Sequence, residues 1–148
     1  MKNERLHAYE VLLRVAKVRE VRASSALAEA SAEAHACSVR HGEVSAAHAV
    51  VAVAGRGMTA GQSNLDLARY EQLSNLDALL ARKLETARDE LDAADMFCRE
   101  RALVAVKAKR YREKADDQVR VTRGTQERTK VAGLQEEAIE CWLRGRGR

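Results

Sequence analysis

Apolar side chains recur along the first third of the chain at alternating intervals of three and four residues. One series with a period of seven is apolar throughout and consists of Tyr9, Ala16, Ala23, Ala30, Cys37, Val44 and Val51. A companion series begins three residues earlier, is apolar at four of its seven positions, and consists of Leu6, Leu13, Glu20, Leu27, Ala34, His41 and His48. This stripe, sustained over about seven heptads, predicts a long amphipathic helix that packs against a second helix.

The same alternation returns in the second half of the chain. Twelve of its sixteen positions are apolar, and the series is Tyr70, Leu73, Asp77, Leu80, Leu84, Ala87, Leu91, Ala94, Cys98, Arg101, Ala105, Ala108, Arg112, Ala115, Val119 and Thr122. A second long helix is therefore predicted, whose stripe can cover the first. A guanidinium buried at Arg101 or Arg112 needs a partner. Either Glu20 or another acid of the first helix supplies it, or the helices separate there to admit another protein.

Glycine marks the boundary between the two stripes. Three glycines fall within residues 55–64, which predicts a loop. Ser63 with Asp66 three residues later predicts a capping box at the start of the second helix. We predict a single domain over residues 1–148, with helix 1 at about 3–54, a turn at 55–64, helix 2 at about 65–143 and a basic tail at 144–148.

A short loop between two long helices makes them antiparallel neighbours. The predicted fold class is therefore all-α, a long two-helix antiparallel coiled-coil hairpin. If the turn lies near residue 60, residues beyond about 116 have no partner on the first helix. They are expected to form a C-terminal helical overhang.

The composition supports this fold and argues against other classes. The chain has no proline and only 3% aromatic residues, which suits uninterrupted helices and a narrow seam. No window approaches the length of a membrane-spanning segment, and the charged N-terminus is unlike a signal peptide, so we expect no direct membrane insertion. The widely spaced Cys37, Cys98 and Cys141 fit free thiols in a reducing cytoplasm.

Charge is uneven along the chain. Residues 1–98 carry a net charge of −2 and residues 99–148 a net charge of +6, which together give the +4 of the whole chain. The positive end is the open end of the predicted hairpin, which favours an acidic partner surface. Non-specific nucleic-acid binding is an alternative for a sequence pI of about 9.1. The interleaved acids Glu113, Asp116 and Asp117 count against it, so no nucleic-acid partner is predicted.

The sequence offers little that could support catalysis. Cys37 and His41 lie four residues apart and could reach one metal ion, but zinc requires further ligands. The loop glycines are not followed by the Lys-Ser/Thr pair of a phosphate-binding loop. An extended two-helix fold also encloses no pocket. We therefore predict that the protein is not an enzyme and has no catalytic residue, metal or cofactor.

The order of features resembles a known family. A long helix and a glycine-containing turn are followed by Ser63-Asn64, by Tyr70-Glu71-Gln72-Leu73, by a long charged helix and by an acidic-to-basic finish from Gln135-Glu136-Glu137-Ala138 to Arg148. This order covers nearly the whole chain and resembles the FliJ/SctO (YscO-like) family. Its members are central stalk proteins of flagellar and virulence-associated type III secretion systems. The few aromatic residues are more similar to virulence-type members than to flagellar ones.

The resemblance implies a cytoplasmic stalk, peripheral to the secretion apparatus at the inner membrane and monomeric when free. In such proteins the termini enter the pore of the hexameric secretion ATPase and promote its assembly and activity. The stalk also engages the membrane export gate, and some members escort secretion chaperones. The matched stretch supplies the candidate gate- or chaperone-binding residues Tyr70, Leu73, Leu76 and Leu80. Position and charge place the ATPase contact at the open basic end, on Lys107, Lys109, Arg110, Arg112, Arg120 and Arg123.

Each candidate also has a purely structural interpretation. Tyr70, Leu73 and Leu80 lie on the stripe and can be coiled-coil core, whereas Leu76 lies beside it and is the better surface candidate. The basic residues can be a solvated helix face. Trp142 can anchor a partner or fold back onto the end of the hairpin. For the whole protein, the alternative is a generic coiled-coil adaptor or dimeric scaffold with no link to an ATPase.

Overall fold

The protein folds as two long helices that pack against each other. The computed structural model describes residues 2–61, 64 and 66–147. Helix α1 spans Lys2–Ala60 and helix α2 spans Leu67–Arg146. Their packing confirms the predicted all-α helical hairpin. The helices are antiparallel, because an earlier residue of α1 faces a later residue of α2. Glu20 pairs with Arg112, and Glu10 pairs with Arg123.

The side chains between the helices follow the predicted stripes. On α1, every position of the two seven-residue series is buried or half-buried. On α2 the same is true of all sixteen positions except Tyr70, which is exposed. The most deeply buried side chains of the described residues are Ala23, Ala30, Cys37, Ala87 and Val119. Because these side chains are small, the seam buries little area and leaves most large apolar residues at the surface.

The chain divides into two compact units, each built from a stretch of both helices. Unit 1 consists of Met1–Ser24 and Val104–Arg148, and unit 2 consists of Ser25–Leu103. Ala23 and Val119 are the buried residues of unit 1, and Ala30, Cys37 and Ala87 are those of unit 2. Each unit thus has its own small seam.

The helix ends differ from those expected from the glycines. Helix α1 continues through Gly55 and Gly57 to Ala60, six residues beyond the predicted end at 54. A Cβ atom at either glycine would meet open space, and no proline interrupts the backbone hydrogen bonds. Two glycines cost the helix only about 1 kcal/mol each relative to alanine, which a long helix tolerates. Helix α2 likewise runs to Arg146, beyond the predicted end at 143 and into the predicted basic tail.

Asp66 caps the start of α2. Its carboxylate oxygen Oδ1 accepts a hydrogen bond from the backbone N–H of Arg69 at 3.4 Å, and its backbone carbonyl accepts one from Tyr70 at 3.0 Å. The aspartate satisfies an amide that would otherwise lack a partner in the first turn. Ser63, predicted to form a capping box with Asp66, lies outside the described residues. The observed cap is therefore Asp66 itself.

The overhang of α2 begins later than predicted. Residues beyond about 116 were expected to lack a partner, yet Val119 is buried and Arg123 forms an ion pair with Glu10. Tyr9 shares a groove with residues of α2 as far as Thr129. Because α1 ends later than predicted and α2 begins later, each residue of α1 faces a residue of α2 that lies closer to the C-terminus than predicted. From Leu134 onward, all described residues of α2 are exposed, and these form the overhang.

Candidate functional site

Two of the six basic candidates join the helices of unit 1. Arg112 is half-buried, and its Nε donates a 2.8 Å hydrogen bond to Oε2 of Glu20. This hydrogen bond is the main cause of the raised pKa of Arg112. Nη2 of Arg123 donates a 2.6 Å hydrogen bond to Oε1 of Glu10 and thereby lowers the pKa of that carboxyl. Of the two sequence alternatives for Arg112, an acid of α1 supplies the partner, and it is Glu20.

The other four basic candidates point outward from α2. Arg120 pairs with Asp117 of its own helix at 2.7 Å. Lys107, Lys109 and Arg110 are exposed, and no carboxylate in the described part of the chain lies within ion-pair distance of them. Apart from Arg120, which pairs within its own helix, the candidates therefore fall into two groups. Arg112 and Arg123 stabilise the pairing of the helices, whereas Lys107, Lys109 and Arg110 keep their full charge available for another molecule.

The four candidates for gate or chaperone binding lie in unit 2 near the start of α2. Leu73 and Leu80 are half-buried in the seam, whereas Leu76 is 42% exposed beside it. Tyr70 is 38% exposed and, with Leu73, lines an open groove of about 330 Å³. The remaining groove residues are Val51, Ala52, Gly55, Arg56, Thr59, Ser74 and Asp77. Tyr70 and Leu76 are thus the two of the four that a partner could contact directly.

A polar pair lies at the edge of this groove. Nε2 of His48 is 3.2 Å from Oδ1 of Asp77, which fits an ion pair when the imidazole is protonated. The geometry of this contact is not that of a hydrogen bond. Oδ1 of Asp77 is buried and has no hydrogen-bond donor among the described residues. An oxygen without a donor is costly to bury, so this contact is a weak point of the seam.

Arg101, the second arginine of the stripe, lies against an aromatic ring. Its guanidinium carbon is 4.7 Å from the centroid of the Phe97 ring, one turn earlier on α2. From its place on the stripe, Arg101 was predicted to meet an acid of α1 or an outside protein. The spacing of four residues between Phe97 and Arg101 was the available signal, because residues four apart are neighbours on a helix surface.

A small network that was not predicted connects the buried Cys37 to exposed residues of α1. Nη2 of Arg40 donates to Sγ of Cys37 and to Oε1 of Glu33, both at 3.1 Å. The thiol of Cys37 in turn donates to the same Glu33 oxygen at 3.5 Å. Glu33 is the main cause of the raised pKa of Arg40. The buried Cys37, which the sequence suggested could approach a metal with His41, is thus engaged by its own helix.

No arrangement for metal binding is found in the described ranges. Among residues 2–61, 64 and 66–147, no three side chains of His, Cys, Asp or Glu converge as a metal site requires. Over the same residues, neither helix contains a stretch that is both long and apolar enough to cross a bilayer.

Trp142 lies on the overhang and is 58% exposed. The guanidinium carbon of Arg146 is 4.5 Å from its ring centroid, so a cation of the same helix covers one face of the indole. Ile139 and Leu143 beside it are also exposed. This environment fits the first of the two sequence alternatives, an indole accessible to a partner.

Comparisons with known proteins provide no relative for this chain: no protein-family model, no curated protein and no solved structure matches it. The fold and the placement of its side chains are therefore the basis for assigning a function.

Proposed function

We propose that this protein is a protein-binding hairpin that serves as the central stalk of a type III secretion system. The observation that carries the proposal is the thin seam, in which two helices of 59 and 80 residues bury few side chains. Such a structure leaves most of its large apolar side chains exposed, where partner proteins can bind them. The sequence order resembling the FliJ/SctO family supports the stalk role, with a virulence-type system favoured over a flagellar one.

The stalk acts by binding and not by catalysis. It is a cytoplasmic protein, monomeric when free and peripheral to the secretion apparatus at the inner membrane. Unit 1 contains both chain ends and enters the pore of the hexameric secretion ATPase, promoting its assembly and activity. Lys107, Lys109 and Arg110 contact acidic residues of the pore, because their charges are exposed and no carboxylate among the described residues pairs with them.

Unit 2 provides the link to the export gate and to secretion chaperones. Tyr70 and Leu76 are exposed apolar residues near the start of α2, and Tyr70 borders the open groove beside α1. Partly exposed aromatic and aliphatic side chains next to a groove are typical anchors for a protein partner. Trp142 supplies a further anchor on the overhang of unit 1.

The test is ATP hydrolysis by the secretion ATPase from the same genome, measured with and without this protein. We expect stimulation accompanied by hexamer formation on size-exclusion chromatography. The triple variant Lys107→Glu, Lys109→Glu, Arg110→Glu should lose most of the stimulation. Arg112 and Arg123 are unsuitable for this test because their reversal also breaks the pairing with Glu20 and Glu10.

A matched control distinguishes the site from a general effect of charge. Arg82, Lys83 and Arg88 are also exposed on α2, but they belong to unit 2. Their reversal to glutamate changes the net charge by the same amount and should leave stimulation intact. Equal loss in both variants would remove the assignment of the ATPase contact. A folded helical protein that neither binds nor stimulates the ATPase would leave the alternative of a generic coiled-coil adaptor.

A further inference from the structure

Helix α1 of unit 1 carries a second apolar stripe on the face turned away from α2. Its members are Ala8, Val11, Val15 and Val18, which follow one another at intervals of three, four and three residues. All four are exposed, with Val11, Val15 and Val18 at 43%, 44% and 49%. We call these four residues the outer stripe. It is distinct from the seam, to which the half-buried Leu13 and Ala16 of the same stretch belong.

The spacing and the residue types of the outer stripe favour a helix as its partner. A narrow stripe at alternating intervals of three and four is the pattern of a coiled-coil seam, whereas an apolar face that enters lipid is usually broader. Valine at successive heptad positions is also common where two helices pair, because its branched side chain fits the holes of the facing helix. Leu12 and Val21 border the outer stripe and are exposed as well.

The charges around the outer stripe define the chemistry of that helix. Between residues 5 and 22, α1 carries five cations: Arg5, Arg14, Lys17, Arg19 and Arg22. The two carboxylates in the same stretch, Glu10 and Glu20, are held by Arg123 and Arg112 of α2. The internal ion pairs therefore draw the negative charge of this stretch towards the seam. They leave the outer side with an excess of positive charge.

We propose that the outer stripe binds an amphipathic helix of another protein whose apolar heptad positions are flanked by Asp or Glu. Opposite charges beside a shared apolar seam select the partner and orient it. A second copy of this chain fits less well, because each copy brings five cations and no uncommitted carboxylate between residues 5 and 22. The inference goes beyond the proposed stalk function, and it concerns α1, whereas the proposed ATPase contact lies on α2.

The experiment uses the full chain and a pair of synthetic probes. One is a labelled three-heptad peptide with Leu and Val at the core heptad positions and Glu beside them, and the other has Lys in place of every Glu. Binding is followed by fluorescence anisotropy. We expect the acidic peptide to bind at least about tenfold more tightly than the basic one, with affinity that falls as salt rises.

Variants locate the binding on the outer stripe. Val11→Ser with Val15→Ser should weaken binding of the acidic peptide by about tenfold or more, since two apolar contacts are lost. The matched control is Val39→Ser with Val50→Ser, two exposed valines of α1 in unit 2, and it should bind as the unmodified protein does. Arg19→Gln with Arg22→Gln should weaken binding and flatten its salt dependence. Circular dichroism verifies that every variant retains its helices.

Several results would overturn the proposal. They are equal affinity for the two peptides, unchanged binding by the Val11/Val15 variant, and equal weakening by the Val39/Val50 control. Binding to anionic phospholipid vesicles that is lost in the Val11/Val15 variant, with no binding of the acidic peptide, would make the stripe a lipid-binding surface instead. Self-association lost in that variant would assign the stripe to a second copy. Because no ATPase is present, each of these results leaves the stalk function to its own test.

Discussion

Units 1 and 2 share one heptad pattern but carry opposite net charge. By sequence, unit 1 contains 18 Lys and Arg against 10 Asp and Glu, a net charge of +8, whereas unit 2 contains 8 against 12, a net charge of −4. Two arginine–glutamate pairs join the helices of unit 1. Among the described residues, His48 and Asp77 form the polar pair that joins the helices of unit 2. The same apolar spacing thus builds both seams, and charge distinguishes the two surfaces.

Within unit 1, the ion pairs also determine where the charge lies. Its α1 segment holds two of its carboxylates, Glu10 and Glu20, against arginines of α2. Those pairs stabilise the seam and at the same time remove negative charge from the outward side. Unit 1 is therefore the better surface for acidic partners, and unit 2 is the better surface for basic ones.

The largest expected effect comes from placing an acid in each seam. Ala87 in unit 2 and Ala23 in unit 1 are 8% and 9% exposed, so the two sites are matched in burial. Ala87→Asp should lower the free energy of unfolding by about 3 kcal/mol, because the carboxylate loses water without gaining a partner. Ala23→Asp should cost about 1 kcal/mol less in the positive surroundings of unit 1. Urea denaturation followed by circular dichroism measures both.

Asparagine separates the charge from the size of the new side chain. Ala87→Asn and Ala23→Asn introduce nearly the same volume without the charge. The difference between Asp and Asn should be larger at position 87 than at position 23. The opposite order would show that the net charge of a unit does not affect the cost of placing a carboxylate in its seam.

The next effect tests whether Arg112 and Glu20 fix the pairing of the helices in unit 1. Arg112→Glu alone places two half-buried carboxylates face to face and should lower the urea midpoint clearly. Adding Glu20→Arg restores opposite charges in reversed order and should recover most of the loss. A control reversal at Arg120, whose partner lies on its own helix, should have little effect on the midpoint. If the double variant recovers nothing, the pair contributes through packing rather than through charge.

The heptad stripes and the fold class could be predicted from sequence because the apolar spacing that marks the buried face recurs many times along a long helix. For Arg112 the sequence left two alternatives, an acid of α1 such as Glu20 or an outside protein, and the structure shows Glu20. The pairing of Arg123 with Glu10 could not be found, because it depends on the register between helices. That register depends in turn on where α1 ends and α2 begins. Three glycines predicted an earlier end of α1. Each glycine disfavours the helix by only about 1 kcal/mol, and the rest of the long helix outweighs this cost.

The surface assignments show the same limit. Sequence spacing distinguished Leu76 from the seam residues Leu73 and Leu80, and their exposure agrees. It placed Arg112 on the stripe, but it could not distinguish Lys107 from Arg123, since both are basic residues of one helix that lie off the stripe. Only the structure shows which charge is committed to an internal partner. The outer stripe was not predicted, although its intervals of three, four and three residues are present in the sequence.

Glycine replacement in α1 is expected to have a moderate effect of the opposite sign. Gly55 and Gly57 lie inside the helix, and an added Cβ atom meets nothing within 4 Å at either position. Gly55→Ala and Gly57→Ala should each stabilise the protein by about 0.5–1 kcal/mol, because alanine loses less backbone entropy on folding. Gly61→Ala is the control, since Gly61 lies beyond the end of α1. No gain at 55 or 57 would indicate that the helix ends earlier, as the glycine pattern alone predicted.

The smallest effect concerns pH and unit 1. The hydrogen bond from Arg123 holds the pKa of Glu10 below its ordinary value of 4.5. A carboxyl with a lowered pKa binds its proton less readily in the folded protein than in the unfolded chain. Its contribution to stability is therefore fully present above pH 4.5, declines below that pH, and is lost as the pH falls through the folded value. Because the pair is exposed, the contribution is small and weakens in salt.

Glu10→Gln isolates that contribution. The glutamine cannot ionise, so thermal unfolding of the variant should depend less on pH between 5 and 3 than that of the unmodified protein, and the two curves should converge at the acidic end. Glu29→Gln in unit 2 is the matched control, since Glu29 is exposed on the same helix without an ion pair in the described structure. If Glu29→Gln flattens the pH dependence as much as Glu10→Gln does, the pair does not distinguish unit 1 from unit 2. A flattening confined to Glu10→Gln would show that Glu10 stabilises the seam of unit 1 through its ion pair with Arg123.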